Sequence, residues 1–215
     1  MDSDVTDDAA ILDLDAFAAT PLAHTPYDHI VVPRFVRAEA FDAVLADFPA
    51  IAEPGSFPVG ETRPGPAFRR LLDAFAQPPV RSAFEDKFGI DLTGRPLMTT
   101  VRGMCQAKDG RIHTDSTTKL ITVLIYMEPT WEAAGGRLRI LRDAENLEDY
   151  ADEVTPGPGT LLAFRRGAAS FHGHAPFVGR RRSVQINWVT SAGVRRREQA
   201  RHWVSARLKK LVAAG

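Results

Sequence analysis

Three side chains in this sequence form a donor set for a metal ion. His113-Thr114-Asp115 places an imidazole and a carboxylate two residues apart, and alternate residues of a strand face the same side. Ser170-Phe171-His172 supplies a second imidazole much further along the chain, so only folding brings it alongside. Two imidazoles and one carboxylate cap one face of an ion and leave the other positions open, the donor set of facial-triad iron(II) chemistry. Gly179-Arg180-Arg181-Arg182 follows. A guanidinium suits a ligand carboxylate, because its planar fork pairs bidentately and stays charged when partly buried. In isolation an H-x-D triplet is common by chance, and an arginine run is most often a solvated turn. The surrounding elements decide between these readings.

Leu120 to Tyr126 is a short apolar run rich in β-branched residues, which predicts a buried strand. Trp131, a small-residue turn at 133–136 and the apolar segment Leu138 to Leu141 come next. Thr155 to Thr160 alternates Pro and Gly, a tight turn that leads into a strand from Leu161 to Phe164. Ser183 to Val189 has the alternation of a further strand. No crossover helix fits between these strands, so they pair antiparallel. The fold class expected is mainly β with flanking helices, around a jelly-roll, cupin-like core at about 98–190.

Ahead of that core, residues 1–25 read as a poorly ordered arm with one apolar segment, Ile11 to Leu14. The remainder, 26–215, reads as a single domain. Asp28 to Pro33 is an edge strand. Ala38 to Asp47, Phe68 to Phe75 and Pro79 to Phe88 have helical spacing of their apolar residues and form a buttress at 38–90, with aromatics that belong to the core. The Pro- and Gly-rich segment 54–66 is a loop positioned to fold over the site. Val194 to Leu211 is a basic amphipathic helix whose charged face is solvated.

Composition narrows the function classes. The chain has 215 residues, 44% of them hydrophobic and 25% charged, enough for one domain with a sizeable core. Twenty-seven basic residues balance twenty-seven acidic ones, so nothing favours nonspecific attraction to nucleic acid or to an anionic membrane. The single Cys105 cannot close an internal disulfide and fits a reducing compartment. No apolar stretch reaches the ~18 residues of a membrane span, and the acidic start lacks a signal-peptide pattern. A cytoplasmic location is expected. Nothing in the sequence sets the oligomeric state.

From about Val101 to Thr190 the chain resembles the double-stranded β-helix of the 2-oxoglutarate/Fe(II)-dependent dioxygenase superfamily, and most of all its prolyl-hydroxylase-like branch. The residues that carry the likeness are Tyr126 to Trp131, then Gly135-Gly136-Arg137-Leu138-Arg139, then Gly159 to Phe164 with His172 eight residues further on. The resemblance implies His113, Asp115 and His172 as iron ligands. His174 competes for the last position, but Pro176 follows His172 by four residues, as in the family's pattern. Tyr126 would bond the distal carboxylate of 2-oxoglutarate, and Leu124 and Leu138 would wall its pocket. Either Arg181 or Arg182 would pair with that carboxylate, since neighbours on a strand face opposite ways. Arg181 fits an R-x-S variant. Arg182 lies six residues before Trp188, as the family's basic residue lies before its tryptophan, and is preferred; Arg180 is placed in solvent.

The resemblance further implies Fe(II), 2-oxoglutarate and O2, with ascorbate as an optional stimulant. It implies a hydroxylase that releases succinate and CO2 and acts on a protein residue (prolyl among them), an amino acid or a small metabolite. Halogenation is disfavoured because Asp115 is intact. The alternative is a metal-binding cupin-like protein without oxygenase activity, an isomerase or small-molecule sensor. Trp131, Trp188 and the 54–66 loop are the positions expected to bear on substrate.

Overall fold

The computed structural model describes residues 11–196. In chain order the elements are α1 (Leu14–Ala19), β1 (His29–Val32), α2 (Ala38–Ala46), β2 (Phe57–Pro58), α3 (Pro66–Phe75), α4 (Pro78–Phe88), β3 (Leu97–Cys105), β4 (Lys119–Tyr126), β5 (Leu138–Leu141), β6 (Tyr150–Val154), β7 (Leu161–Arg165), β8 (His172–Gly173) and β9 (Gly179–Val189). Two antiparallel sheets form a jelly roll. The larger has the order β1-β7-β4-β9-β3-β2, and the smaller has the order β6-β5-β8.

Each long strand of the large sheet sorts its residues by parity. On β4, Ile121, Val123 and Ile125 enter one apolar cluster; on β9, Val184, Ile186 and Trp188 do the same. The helices pack on this outer face. Phe68, Leu71 and Phe75 of α3 and Val80, Phe84 and Phe88 of α4 are buried in it. The opposite parity faces the small sheet. Tyr126, Leu162 and Phe164 meet Leu138, Ile140 and Val154 there in a second, smaller cluster. The rest of the inner face is polar, because register aligns three rungs across β3, β9 and β4. Arg102, Ser183 and Tyr126 form the first, Thr100, Gln185 and Leu124 the second, and Met98, Asn187 and Thr122 the third.

Local chemistry sets the helix ends. Pro66 and Pro78 open α3 and α4, positions where the missing N–H costs nothing. Asp47, just past α2, accepts from the Ala67 N–H at 2.6 Å and so caps α3 from outside. Gly89 ends α4 with φ 57°, the left-handed conformation that glycine adopts without penalty.

Several expectations are corrected. The part of the arm that is described, 11–25, is docked on the domain: α1 is capped by Asp13, its fully buried Phe17 packs on Phe35 and Phe84, and buried Leu12 bridges Val36. Residues 1–10 of that arm lie outside the described residues. The 54–66 segment is not all loop, since β2 pairs Phe57 with Val101 and Pro58 with Thr100; Ser56 beside it lies in one cavity lining with His113 and His172. Strands β6 and β8 fall in stretches without a readable period. Trp188 does not reach the interior of the barrel; it is 2% exposed and its ring centroid lies 4.8 Å from that of Phe84. Residues 192–196 begin a helical turn, and the remainder of the basic 194–211 segment lies outside the described residues. Among the described residues no helix is long and apolar enough to cross a membrane.

Phe84 joins α1, α4 and β9 on the face away from the polar rungs. Phe84→Ala should destabilise the fold by about 3–5 kcal/mol through lost burial and an unfilled cavity. Urea denaturation would read this as a lower midpoint, with metal affinity of the folded protein unchanged.

Candidate metal centre and cosubstrate pocket

His113, Asp115 and His172 converge at the mouth of the barrel. The two histidines form an isolated antiparallel bridge, each backbone N–H donating to the other's carbonyl at 3.1 and 3.0 Å. Their ring centroids are 4.3 Å apart. One donor atom from each of the three residues lies within 4.8 Å of the others. His113 Nδ1 is 2.8 Å from the Arg111 carbonyl oxygen, and His172 Nδ1 is 3.0 Å from that of Ser170. Each Nδ1–H therefore donates to backbone two residues earlier, which fixes the tautomer from its partner and leaves both Nε2 lone pairs free for a metal.

Electrostatics favour the same state. Burial pushes His172 down to about 4, against the pull of Asp115, so it is the neutral imidazole a metal requires. Burial opposes ionisation of Asp115, but Lys119 and His172 outweigh it and hold the carboxyl below the usual carboxylate range. Asp115 Oδ1 accepts from Lys119 Nζ at 2.7 Å and Oδ2 from the Thr122 hydroxyl at 2.5 Å. Arg166 Nε donates to its backbone carbonyl at 3.1 Å. Two contacts thus aim the carboxylate, and a third holds its backbone. Two imidazoles with their Nε2 atoms free and an oriented carboxylate fit a divalent iron ion with open positions.

A cavity of about 110 Å³ runs inward from His113 and His172, with Leu124 and Leu138 in its walls and Arg181 lining it. Arg181 is 5% exposed. Its Nε donates to the Gly136 carbonyl at 2.7 Å, and its Nη2 donates to the Tyr126 hydroxyl at 3.4 Å. Burial raises the Tyr126 pKa, with Arg181 acting in the opposite direction, and the phenol stays protonated.

The preference for Arg182 is therefore corrected. Arg182 Nη2 lies 3.0 Å from Glu128 Oε2, and its backbone N–H donates to Glu128 Oε1 at 2.8 Å. Counting back from Trp188 misled, because Trp188 faces the helices and a residue six positions away shares its face. Arg180, placed in solvent, is exposed beside Glu128 at 3.5 Å. His174 lines the cavity but lies outside the triad. Its Nδ1 is 2.8 Å from the Ala175 carbonyl oxygen and its Nε2 is 3.8 Å from Cys105 Sγ; burial, aided by Arg181, lowers it to about 4.

Lys119, Thr122, Gln185 and Asn187 were not anticipated as site residues. A signal existed: Thr122 is the polar break in the apolar run, and Gln185 and Asn187 are the polar half of an alternating strand.

Fold and site together define a jelly-roll protein with a facial donor triad and a cationic pocket behind it. Residues 102–190 match the family model of the 2OG-Fe(II) oxygenase superfamily. The prolyl-4-hydroxylase of Pseudomonas putida is 19% identical with TM-score 0.57, over 85% of this chain and 92% of that one. The viral collagen prolyl hydroxylase of Paramecium bursaria Chlorella virus-1 is 15% identical with TM-score 0.52, over 75% and 96%. A prolyl 4-hydroxylase of Phytophthora capsici is 14% identical with TM-score 0.55, over 91% and 68%. At these identities the likeness is one of fold. Comparison with curated protein sequences gives no match.

Removing an oriented outer partner of a metal ligand commonly costs 10–100-fold in metal affinity. Thr122→Val should weaken Fe(II) binding within about that range, and Asp115→Ala should weaken it more. Anaerobic metal titration checks both.

Proposed function

We propose that this protein hydroxylates a substrate C–H bond in an Fe(II)- and 2-oxoglutarate-dependent reaction that yields succinate and CO2. The observation that carries the reading is the cavity shared by His113, His172 and Arg181, which offers metal donors at its mouth and a buried guanidinium behind them. His113, Asp115 and His172 would hold the iron, which supplies the O2-activating redox chemistry when bound. Arg181 neutralises the distal carboxylate of 2-oxoglutarate, since a buried charge without a partner is costly. Tyr126 fixes the guanidinium from below. Leu124 and Leu138 exclude water from the methylene chain between the two polar ends. Lys119 and Thr122 keep Asp115 ionised and aimed.

Removing one partner of a buried ion pair costs about 3–5 kcal/mol, or about two to four orders of magnitude in affinity. Arg181→Ala should weaken 2-oxoglutarate binding on that scale. Arg182→Ala should change it far less, because its partner is Glu128. Titrating 2-oxoglutarate into the anaerobic Fe(II) protein and following the visible charge-transfer band measures both.

Succinate release from 2-oxoglutarate should require Fe(II), stop on chelation, and be lost in Asp115→Ala. A protein that binds Fe(II) but shows neither a 2-oxoglutarate band nor succinate would instead be a metal-binding cupin-like protein without oxygenase activity.

A further inference from the structure

A second chamber opens on the other side of the triad. It measures about 210 Å³ and adjoins the first at Ser56, Thr100, His113 and Gln185. Its own walls include Met98, Asp115, Lys119 and Asn187. Met98 and Asn187 belong to the third rung, beside Thr122. Its lining includes no Phe, Tyr or Trp, so it offers no flat apolar surface for a prolyl ring.

Two observations describe what it takes. The first is an unmatched amide. Asn187 is 1% exposed, its Oδ1 lies 3.1 Å from the Thr122 hydroxyl oxygen, and its Nδ2 has no partner. Thr122 has one proton, which the shorter, charge-assisted contact to Asp115 claims. The amide then turns its NH2 group to Thr122 and leaves its oxygen unmatched, because the hydroxyl oxygen can only accept from it. In either orientation one end of the amide is buried without a partner, which is costly and calls for a ligand group. A hydroxyl both donates and accepts, so it satisfies either end.

The second is charge. With iron(II) and dianionic 2-oxoglutarate in place, Asp115 and the 2-oxoacid carboxylate would offset the two charges of the iron, and Arg181 would pair with the distal carboxylate. Arg102 cancels Asp109 at 2.6 Å. Lys119 remains, and Arg166 beside the Asp115 carbonyl adds to the same sign. A loaded site in a low-dielectric barrel is left positive, and a substrate that brings a negative charge relieves it.

We infer that the chamber bounded by Met98, Lys119 and Asn187 is the substrate subsite, and that it takes a small monocarboxylate bearing a hydroxyl group. This rests on the 2-oxoglutarate reading of the neighbouring cavity. Asn187 binds the hydroxyl through its unmatched amide end, and Lys119 draws the carboxylate while remaining close to Asp115.

The test uses full-length protein loaded anaerobically with Fe(II) and 2-oxoglutarate, and follows the charge-transfer band. Probes are 3-hydroxybutyrate and gluconate, with butyrate, 3-hydroxybutyramide and a prolyl peptide as comparisons. The hydroxy acids should perturb the band with at least tenfold higher affinity than butyrate or the amide. Asn187→Leu should bring 3-hydroxybutyrate and butyrate to equal affinity. The band in the variant before probe is added verifies folding and loading. If the band forms and only the prolyl peptide perturbs it, or nothing does, the subsite assignment is overturned. An unchanged ratio in Asn187→Leu, or equal affinity of the unsubstituted protein for 3-hydroxybutyrate and 3-hydroxybutyramide, overturns it as well. If no band forms with 2-oxoglutarate in the unsubstituted protein, the 2-oxoglutarate reading itself fails, and the subsite falls with it.

Discussion

Neighbouring side chains on a strand must leave on opposite sides of the sheet, and β9 shows how much follows from that constraint. Val184, Ile186 and Trp188 bury themselves against the helices. Arg181, Ser183, Gln185 and Asn187 are thereby committed to the other face, where no helix covers them. A one-residue slip would exchange the two sets and put a guanidinium into an aromatic cluster. The apolar packing of Phe84 on Trp188 thus holds the polar rungs in register. The helices serve the site without touching it.

Within that frame, the most demanding element is a carboxylate, because taking a charge out of water is expensive unless it is paired and hydrogen-bonded. Asp115 has both compensations, from Lys119 and from Thr122. The result is a ligand that is ionised and oriented before any ion arrives. The histidines reach the same end differently: their Nδ1 atoms are occupied by backbone carbonyls, so their remaining nitrogens have one direction in which to act. Preorganisation of this kind lowers the cost of assembling a metal site.

The strands of the core and the triad could be read from the chain because both rest on short-range pattern: an H-x-D spacing, a β-branched run, an alternating strand. The helices at 38–46, 66–75 and 78–88 were legible for the same reason. What escaped depends on contacts distant in sequence. The two-residue β8 exists only because Gly173 pairs with Arg139 and His172 with Ile140. The segment at 11–25 is held by Phe17 and Leu12, whose pockets are built by other elements. Arg181 and Arg182 are neighbours with the same chemistry, and only the direction taken by Trp188 tells them apart. Asn187 looks like an ordinary polar position until β3 and β4 are laid beside it.

The Gly135-Gly136 turn carries a consequence of a different kind. Gly136 has φ 79°, and a Cβ there would meet Trp131 at 2.7 Å. Its carbonyl holds Arg181 Nε, and the Trp131 indole N–H holds the Gly135 carbonyl at 3.2 Å. The guanidinium is therefore pinned within the cavity that His113 and His172 also line. Gly136 acts as the datum for the spacing between that charge and the metal donors: a side chain there displaces Trp131, loosens the carbonyl's grip on Arg181 and lets the spacing drift.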